Sequence, residues 1–276
     1  MRQRPTALRF RRFLRSPKGL VVLVLLCLAV AGITKEGIGR TLPVVAGALL
    51  ATSTLDVGLM YLRRGVVILP DSAVISGLLI ALVLSPGQPW YVPIAAGSLA
   101  ILSRHILRIP AYHLFNPAAI SLALCPLLFS TSQDWWGALP NLAAPAILVV
   151  LVLGLAVASR VNKLPQVLAF LLAYFALLTL AALVPVTEAT RIAGGFRVPF
   201  LNATLFFAFF MLTDPPTSPG QVRAQVQFGA LVGGVAALAL VLNAGLSYLF
   251  IGLLAGNAWF AWRRSVTESA PIPAVR

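Results

Sequence analysis

The sequence predicts an all-α polytopic membrane protein with about ten transmembrane helices. Three observations carry that reading. The first is composition: 59% of the 276 residues are hydrophobic and 10% are charged, against roughly 45–50% and about 25% in soluble domains. The mean hydropathy is +0.94. The second is periodic length, since apolar segments recur near 19–33, 41–62, 66–86, 89–103, 115–130, 142–158, 165–185, 198–212, 225–243 and 245–262, on the scale of a ~30 Å hydrocarbon core. The third is sidedness. With the N-terminus inside, ten crossings return the C-terminus inside, and the inside loops then hold seventeen of the 21 basic residues. Only Lys35, Arg40, Arg191 and Arg197 fall outside, as the positive-inside rule expects.

Taken in order, residues 1–18 form a basic cytoplasmic segment with seven of the 21 Lys and Arg. They face anionic lipid rather than nucleic acid, which accounts for much of the net charge of +14. The segment also looks like a signal-peptide n-region, and Ala29-Val30-Ala31 resembles a cleavage site; the spans that follow favour an uncleaved first helix. One transmembrane domain occupies 19–264, with repeats of about 19–130 and 142–262, and 265–276 form a cytoplasmic tail. No stretch is left for a separate soluble domain. Cys27 and Cys125 sit inside apolar runs and read as small hydrophobes. His105 and His113 are too isolated to pair on a metal, so no metal site is expected.

Several segments are shorter than the ~20 residues of a simple span, which suits broken or half-crossing helices. An internal repeat points to two of them. Segment three ends 84-LSPGQ-88 and segment eight is followed by 217-TSPGQ-221, so sliding one onto the other sets Asp71 opposite Thr204. Five segments separate the copies, an odd number, and they therefore enter the membrane from opposite sides. Interrupted segments in matching positions of inverted halves point to a binding site near the midplane.

Three stretches carry Pro, Gly or Asn where lipid would not call for them: 70-PDSAVISGLLIALVLSPG-87, 113-HLFNPAA-119 and 202-NATLFFAFFMLTDPPTSPG-220. Backbone groups freed there need protein partners or a cavity. Asn116-Pro117 is a helix start, with Asn as cap and Pro at the first position, and such an N-terminus suits a phosphate or carboxylate. Thr213-Asp214-Pro215-Pro216 places a carboxylate at the inner end of segment eight, either as an Asx-type turn or as a polar clamp. Asp56, inside segment two, is expensive in a membrane and is an ion or proton candidate. Alternatively it pairs with Arg63 or Arg64. Asp71 is a second ion-pathway candidate. No catalytic triad, carboxylate pair, Walker motif or dinucleotide fingerprint is present, so no catalytic residue is assigned.

Three blocks together, 71-DSAVISGLLIALVLSPG-87, 113-HLFNPAAISLAL-124 and 204-TLFFAFFMLTDPPTSP-219, resemble the RnfD/NqrB family. Its members are the large membrane subunits of Rnf-type electron transport complexes and of the sodium-translocating NADH:quinone oxidoreductase. The resemblance covers roughly residues 40–260. It implies two inverted five-helix repeats like those of urea channels, a bacterial inner membrane with both termini cytoplasmic, other membrane and peripheral subunits as partners, and flavin mononucleotide (FMN) as cofactor. In the family the FMN phosphate is joined to a threonine nine residues before the Thr-Asp-Pro. Thr204 is the matching residue here, while Leu201-Asn202 replace the family's Ser-Gly ahead of Ala203-Thr204. The implied cofactor-binding residues are Thr204, Asn202, Ala203, Thr213, Asp214, Asn116, His113, Ser76 and Gly77. FMN is covalent at Thr204 or noncovalent in the same cavity, with helix N-termini on its phosphate. The expected function is a membrane subunit of a redox-driven translocase that holds FMN and relays electrons, with or without coupled ion translocation. The alternatives are a channel or transporter for a small solute, flavin included, and a structural subunit that has lost its cofactor.

Overall fold

The computed structural model describes residue 13 and residues 16–67, 69–109, 112–142, 145–184 and 189–268. Its helices are α1 Pro17–Glu36, α2 Ile38–Arg64, α3 Asp71–Val83, α4 Tyr91–Ile106, α5 Pro117–Phe129, α6 Ala146–Arg160, α7 Leu164–Ala182, α8 Ala189–Gly195, α9 Val198–Phe206, α10 Val222–Val241 and α11 Tyr248–Glu268. A minimal hairpin, β1 Arg108–Ile109 paired with β2 Tyr112–His113, joins α4 to α5. Among the described residues, each apolar segment of the sequence contains a helix. The hairpin and α8 are additions, both too short for a hydropathy signal.

The starts and stops follow local chemistry. Ser16 caps α1 by accepting from the Gly19 N–H, with Pro17 at the first position. Gly65, at φ +64, ends α2 in the left-handed conformation. Among the described residues, four helices, Pro17–Glu36, Ile38–Arg64, Leu164–Ala182 and Val222–Val241, are long and apolar enough to cross a membrane by length and composition. Their outward faces carry exposed Leu23, Leu42, Leu50, Leu172 and Leu238, as lipid contact requires. The chain is a helical membrane protein.

Two short elements run through the middle and are apolar all round. Residues Ser76 to Leu84 of α3 and its C-cap are all buried, and so are Asn202 to Leu212. A helix without a polar face is one surrounded by other helices. After α9 the backbone widens into a π-helical turn, Phe207–Met211, with the Leu212 N–H reaching the Phe207 carbonyl at 3.0 Å.

Glycines let the outer helices approach these cores. A Cβ at Gly97 would stand 3.1 Å from the Ala48 carbonyl oxygen, joining α4 to α2. At Gly229 it would fall on the Gln166 carbonyl oxygen, and at Gly233 it would stand 2.5 Å from that of Phe170, joining α10 to α7. Gly229 and Gly233 form the small-xxx-small spacing that membrane helices use for close backbone contact.

The interrupted backbone is satisfied from the side. In the first half the Trp136 indole N–H donates to the Ala81 carbonyl at 2.7 Å, and the Asp134 and Trp135 N–H groups donate to that of Val83 at 3.1 Å. In the second half, Asn116 Nδ2 donates to Met211 O (3.1 Å), Gln166 Nε2 to Leu212 O (2.6 Å) and Asn257 Nδ2 to Thr217 O (2.9 Å). The Lys163 ammonium donates to the carbonyls of Ser218 and Pro219. This is how irregular backbone is tolerated at membrane depth.

Candidate functional site

A cavity of about 450 Å³ lies where the ends of five helices meet. Lys18 of α1, Ser72, Ile75, Ser76 and Leu79 of α3, Arg104 of α4, His113 of the hairpin, Asn116 and Pro117 at the start of α5, and Phe210, Thr213, Asp214, Pro215 and Pro216 beyond α9 contribute to its wall. Its volume falls in the range of small-molecule sites, about 300–1,000 Å³.

The first turns of α1, α3 and α5 all border this space. Helix N-termini carry free N–H groups and partial positive charge. Asn116 fixes the α5 end: its Oδ1 accepts from the Ala119 N–H at 3.1 Å, while its own N–H donates to Asn257 Oδ1 at 2.9 Å. At the rim, Lys18 Nζ pairs with Asp71 Oδ2 at 2.8 Å and reaches the Ser72 hydroxyl at 3.0 Å.

Inside, Arg104 is spread thinly. Its Nη1 lies 3.4 Å from Asp56 Oδ1 and its Nε donates to His113 Nε2 at 3.4 Å. Arg104 Nη1 and His113 Nδ1 are buried atoms without a hydrogen-bond partner among the described residues. Burial, together with the Arg104 charge beside it, lowers the His113 pKa below the ordinary imidazole value. The ring is therefore neutral where an unperturbed one would be partly charged.

On the opposite wall, burial raises the Asp214 carboxyl above the usual carboxylate range. The Thr217 hydroxyl, donating to its Oδ2 at 2.9 Å, works against that rise, as do the charges of Arg104, Lys163 and Lys18. Burial likewise brings the Lys163 ammonium down to about 8, with Asp214 opposing. The Asp214 shift has a definite sign in stability. The folded chain holds a proton that the unfolded chain releases above ~3.9, so stability falls as pH rises from there through the raised folded value. Asp214→Asn keeps an acceptor for Thr217 and removes the titration. Its thermal unfolding temperature in detergent is expected to match wild type in acid and to exceed it increasingly toward neutral pH. An equal offset at every pH would refute this.

The cavity brings together five of the residues singled out in the sequence: Ser76, His113, Asn116, Thr213 and Asp214. The others lie elsewhere. Gly77 faces α2, where a Cβ would stand 2.6 Å from Thr52 Oγ1. Asn202 is buried and donates from Nδ2 to the Ala138 carbonyl at 3.0 Å. Ala203 and Thr204 are buried too. The Thr204 hydroxyl lies beside those of Tyr174 and Tyr248, and none of the three makes a well-formed hydrogen bond among the described residues. It stands nine residues from Thr213, about 13 Å along the helix at ~1.5 Å per residue. Asp71 sits at the rim with Lys18. Asp56 is buried against Arg104 and His105 rather than paired with Arg63 or Arg64, because its turn of α2 faces α4. Lys18 and Arg104 are cavity residues that the sequence does not single out. Lys18 is legible there only as one of seven basic residues near the N-terminus, and Arg104 as one of the inside positive charges.

Residues 8–141 match the model of the NQR2, RnfD, RnfE family. This family comprises Rnf and NQR subunits of electron transport complexes. The match runs from the basic N-terminal segment through α5 and the Trp136 turn, and so includes two of the three blocks that carry the resemblance. Within this NQR2/RnfD/RnfE-like half lie Lys18, Ser76, Arg104, His113 and Asn116, the cation-bearing wall of the cavity. The Thr204 segment lies beyond the match. No curated protein matches the chain.

Proposed function

We propose that the chain is the membrane subunit of an Rnf/NQR-like electron transport complex and holds FMN noncovalently in the cavity. It lies in a bacterial inner membrane with both termini cytoplasmic. The observation that carries this reading is a pair of buried nitrogens, Arg104 Nη1 and His113 Nδ1, that make no hydrogen bond among the described residues, Nη1 having only its long 3.4 Å ion pair with Asp56, at a cavity bordered by three helix N-termini. Such donors fit a phosphate. The Thr204 hydroxyl does not fit a covalent phosphoester, since the residue is fully buried between two tyrosines and away from the cavity.

In this arrangement Arg104 and Lys18 bind the phosphate, and the α5 start held by Asn116 adds the positive end of its helix dipole. Val21, Ile75, Leu79 and Phe210 provide an apolar wall for the ring system and exclude water. A bound flavin supplies one- and two-electron redox chemistry, and the protein tunes it by burial and hydrogen bonding. Two inverted five-helix repeats are supported by the matching packing of α2 with α4 and of α7 with α10 through glycines, and by the two Ser-Pro-Gly turns. A solute channel is less well supported, because Trp135, Phe206, Phe207 and Phe250 fill the interior beyond the cavity.

The test is FMN and riboflavin binding to the purified chain in nanodiscs, read by flavin fluorescence. FMN is expected to bind more tightly than riboflavin. Arg104→Gln should weaken FMN by tenfold or more, as the loss of a charged hydrogen bond worth about 1.5–3 kcal/mol predicts, and leave riboflavin unchanged. Flavin released entirely by acid denaturation is expected. Equal affinity for the two flavins, or flavin retained on the denatured chain, would overturn the reading.

A further inference from the structure

Resting on the reading of the cavity as an anion site, we propose that anion binding there is coupled to uptake of one proton by the Asp56–His105 pair, with Arg104 as the moving part. Asp56 of α2 is 6% exposed and His105 of α4 is 8% exposed. His105 Nε2 lies 3.1 Å from Asp56 Oδ1, the same oxygen that Arg104 Nη1 approaches at 3.4 Å. On its other side, His105 Nδ1 lies 3.3 Å from Arg63 Nη1.

These partners assign the proton. A guanidinium only donates, so His105 Nδ1 accepts from Arg63, and its single proton sits on Nε2 facing Asp56. The ring is thus neutral, and the buried Asp56 carboxylate is balanced by Arg104. Arg104 is only loosely held beside Asp56. Both its links are 3.4 Å long, beyond the ~2.7–2.9 Å of a good charge-assisted bond, and it lines the cavity. An anion in the cavity draws the guanidinium toward itself. Asp56 is then left buried beside a neutral imidazole, and a buried carboxylate without a counter-charge is costly. A proton on His105 Nδ1 restores the balance. Arg63, at the exposed last turn of α2, gives way to water.

By linkage the anion then binds more tightly as pH falls, and each bound anion carries in one proton. Other charged groups face the same space: Arg63 from α2, Arg104 from α4, Arg108 and His113 from the hairpin, the Lys18–Asp71 pair at the rim, and Asp214 with Lys163 opposite. His113 and Asp214 titrate on their own account and must be separated from His105.

The experiment uses the full chain in nanodiscs, from about pH 5.5 to about pH 8.5, the range in which imidazoles in general change charge. Affinity is measured for FMN, for riboflavin and for sulfate, which carries a constant charge across this range. Calorimetry in two buffers of different ionisation heat counts protons. For wild type, sulfate affinity is expected to fall by up to about tenfold per pH unit on the alkaline side, with close to one proton taken up per anion. Riboflavin should show neither effect. The second ionisation of the FMN phosphate, near pH ~6, acts in the opposite sense, so FMN is read as the difference between wild type and variant. His105→Gln should flatten the sulfate profile and bring the proton count to zero. Arg63→Gln, an exposed change, should move the midpoint to higher pH. His113→Gln and Asp214→Asn should alter absolute affinity and keep the slope. A wild-type slope in His105→Gln, or a slope lost in His113→Gln or Asp214→Asn instead, overturns the proposal. FMN bound with the same proton count in wild type and His105→Gln overturns the proposal alone. Sulfate bound with proton uptake while FMN fails to bind overturns only the flavin reading. If neither anion binds, both fall.

Discussion

Replacing Asn257 with leucine is expected to be among the most damaging single changes in the chain, although the residue lies in an apolar helix and does not itself line the cavity. Asn257 is fully buried. Its Oδ1 accepts the Asn116 N–H at 2.9 Å and its Nδ2 donates to the Thr217 carbonyl at 2.9 Å. Leucine has nearly the same volume and makes neither bond, so one N–H and one C=O are left buried and unpaired. At about 1–3 kcal/mol each, the cost is about 2–6 kcal/mol, a large fraction of the net stability of a domain. It also frees the start of α5 from α11, so the α5 wall of the cavity loses its fixed direction. Asn257→Asp keeps the acceptor and loses the donor, and is expected to fall between leucine and wild type. Unfolding temperature in detergent, paired with FMN affinity, checks both. Wild-type stability in Asn257→Leu would show that these two bonds do not hold the two halves together.

The second large effect is expected at Gly229. A Cβ there falls on the Gln166 carbonyl oxygen, and on this helix face the next contact, at Gly233, is again with α7 backbone. Backbone cannot rotate aside, so α10 must separate from α7. Overpacking of this kind typically costs about 1–3 kcal/mol even where side chains can adjust, and more is expected here. Gln166 would be displaced at the same time, and its side chain is what holds the Leu212 carbonyl. Gly229→Ala is therefore expected to lower the unfolding temperature sharply, and Gly229→Leu to yield no folded protein. Gly234 is the internal control. A Cβ there meets Leu177 Cδ1 at 3.5 Å, an ordinary contact, and alanine gains about 0.5–1 kcal/mol of helix propensity. Gly234→Ala should be neutral or stabilising. Equal loss in the two alanine variants would refute the distinction.

These effects differ in how far they can be read from the sequence. The helical membrane class, the position of each long apolar element and the two Ser-Pro-Gly turns follow from hydropathy and from Pro and Gly, because those depend on local composition. Asn116 is legible as a helix cap for the same reason, and the structure has it capping α5. The roles of Asn257, Gln166 and Lys163 are not legible. Each is a polar residue whose partner is a carbonyl about forty or more residues away, and nothing in its neighbours announces that carbonyl. Asp56 shows the same limit. Its cost inside an apolar segment is visible, but the local candidates Arg63 and Arg64 are not its partners. Which face of α2 meets α4 decides that, and helix rotation is set by packing.

By itself, then, the sequence determined that this chain is a bundle of apolar helices with a basic N-terminal segment, and that three interrupted stretches had to find partners inside it. It also carried the resemblance to the Rnf and NQR subunits. The tertiary structure decided which of the named residues meet. Ser76, His113, Asn116, Thr213 and Asp214 converge on one cavity, with Lys18 and Arg104 joining them, whereas Thr204 is closed in between Tyr174 and Tyr248. The physical reason is that lipid imposes only hydrophobicity, which any rotation or pairing of apolar helices satisfies. The pairing itself is selected by glycine contacts and by the few buried polar groups that need a partner.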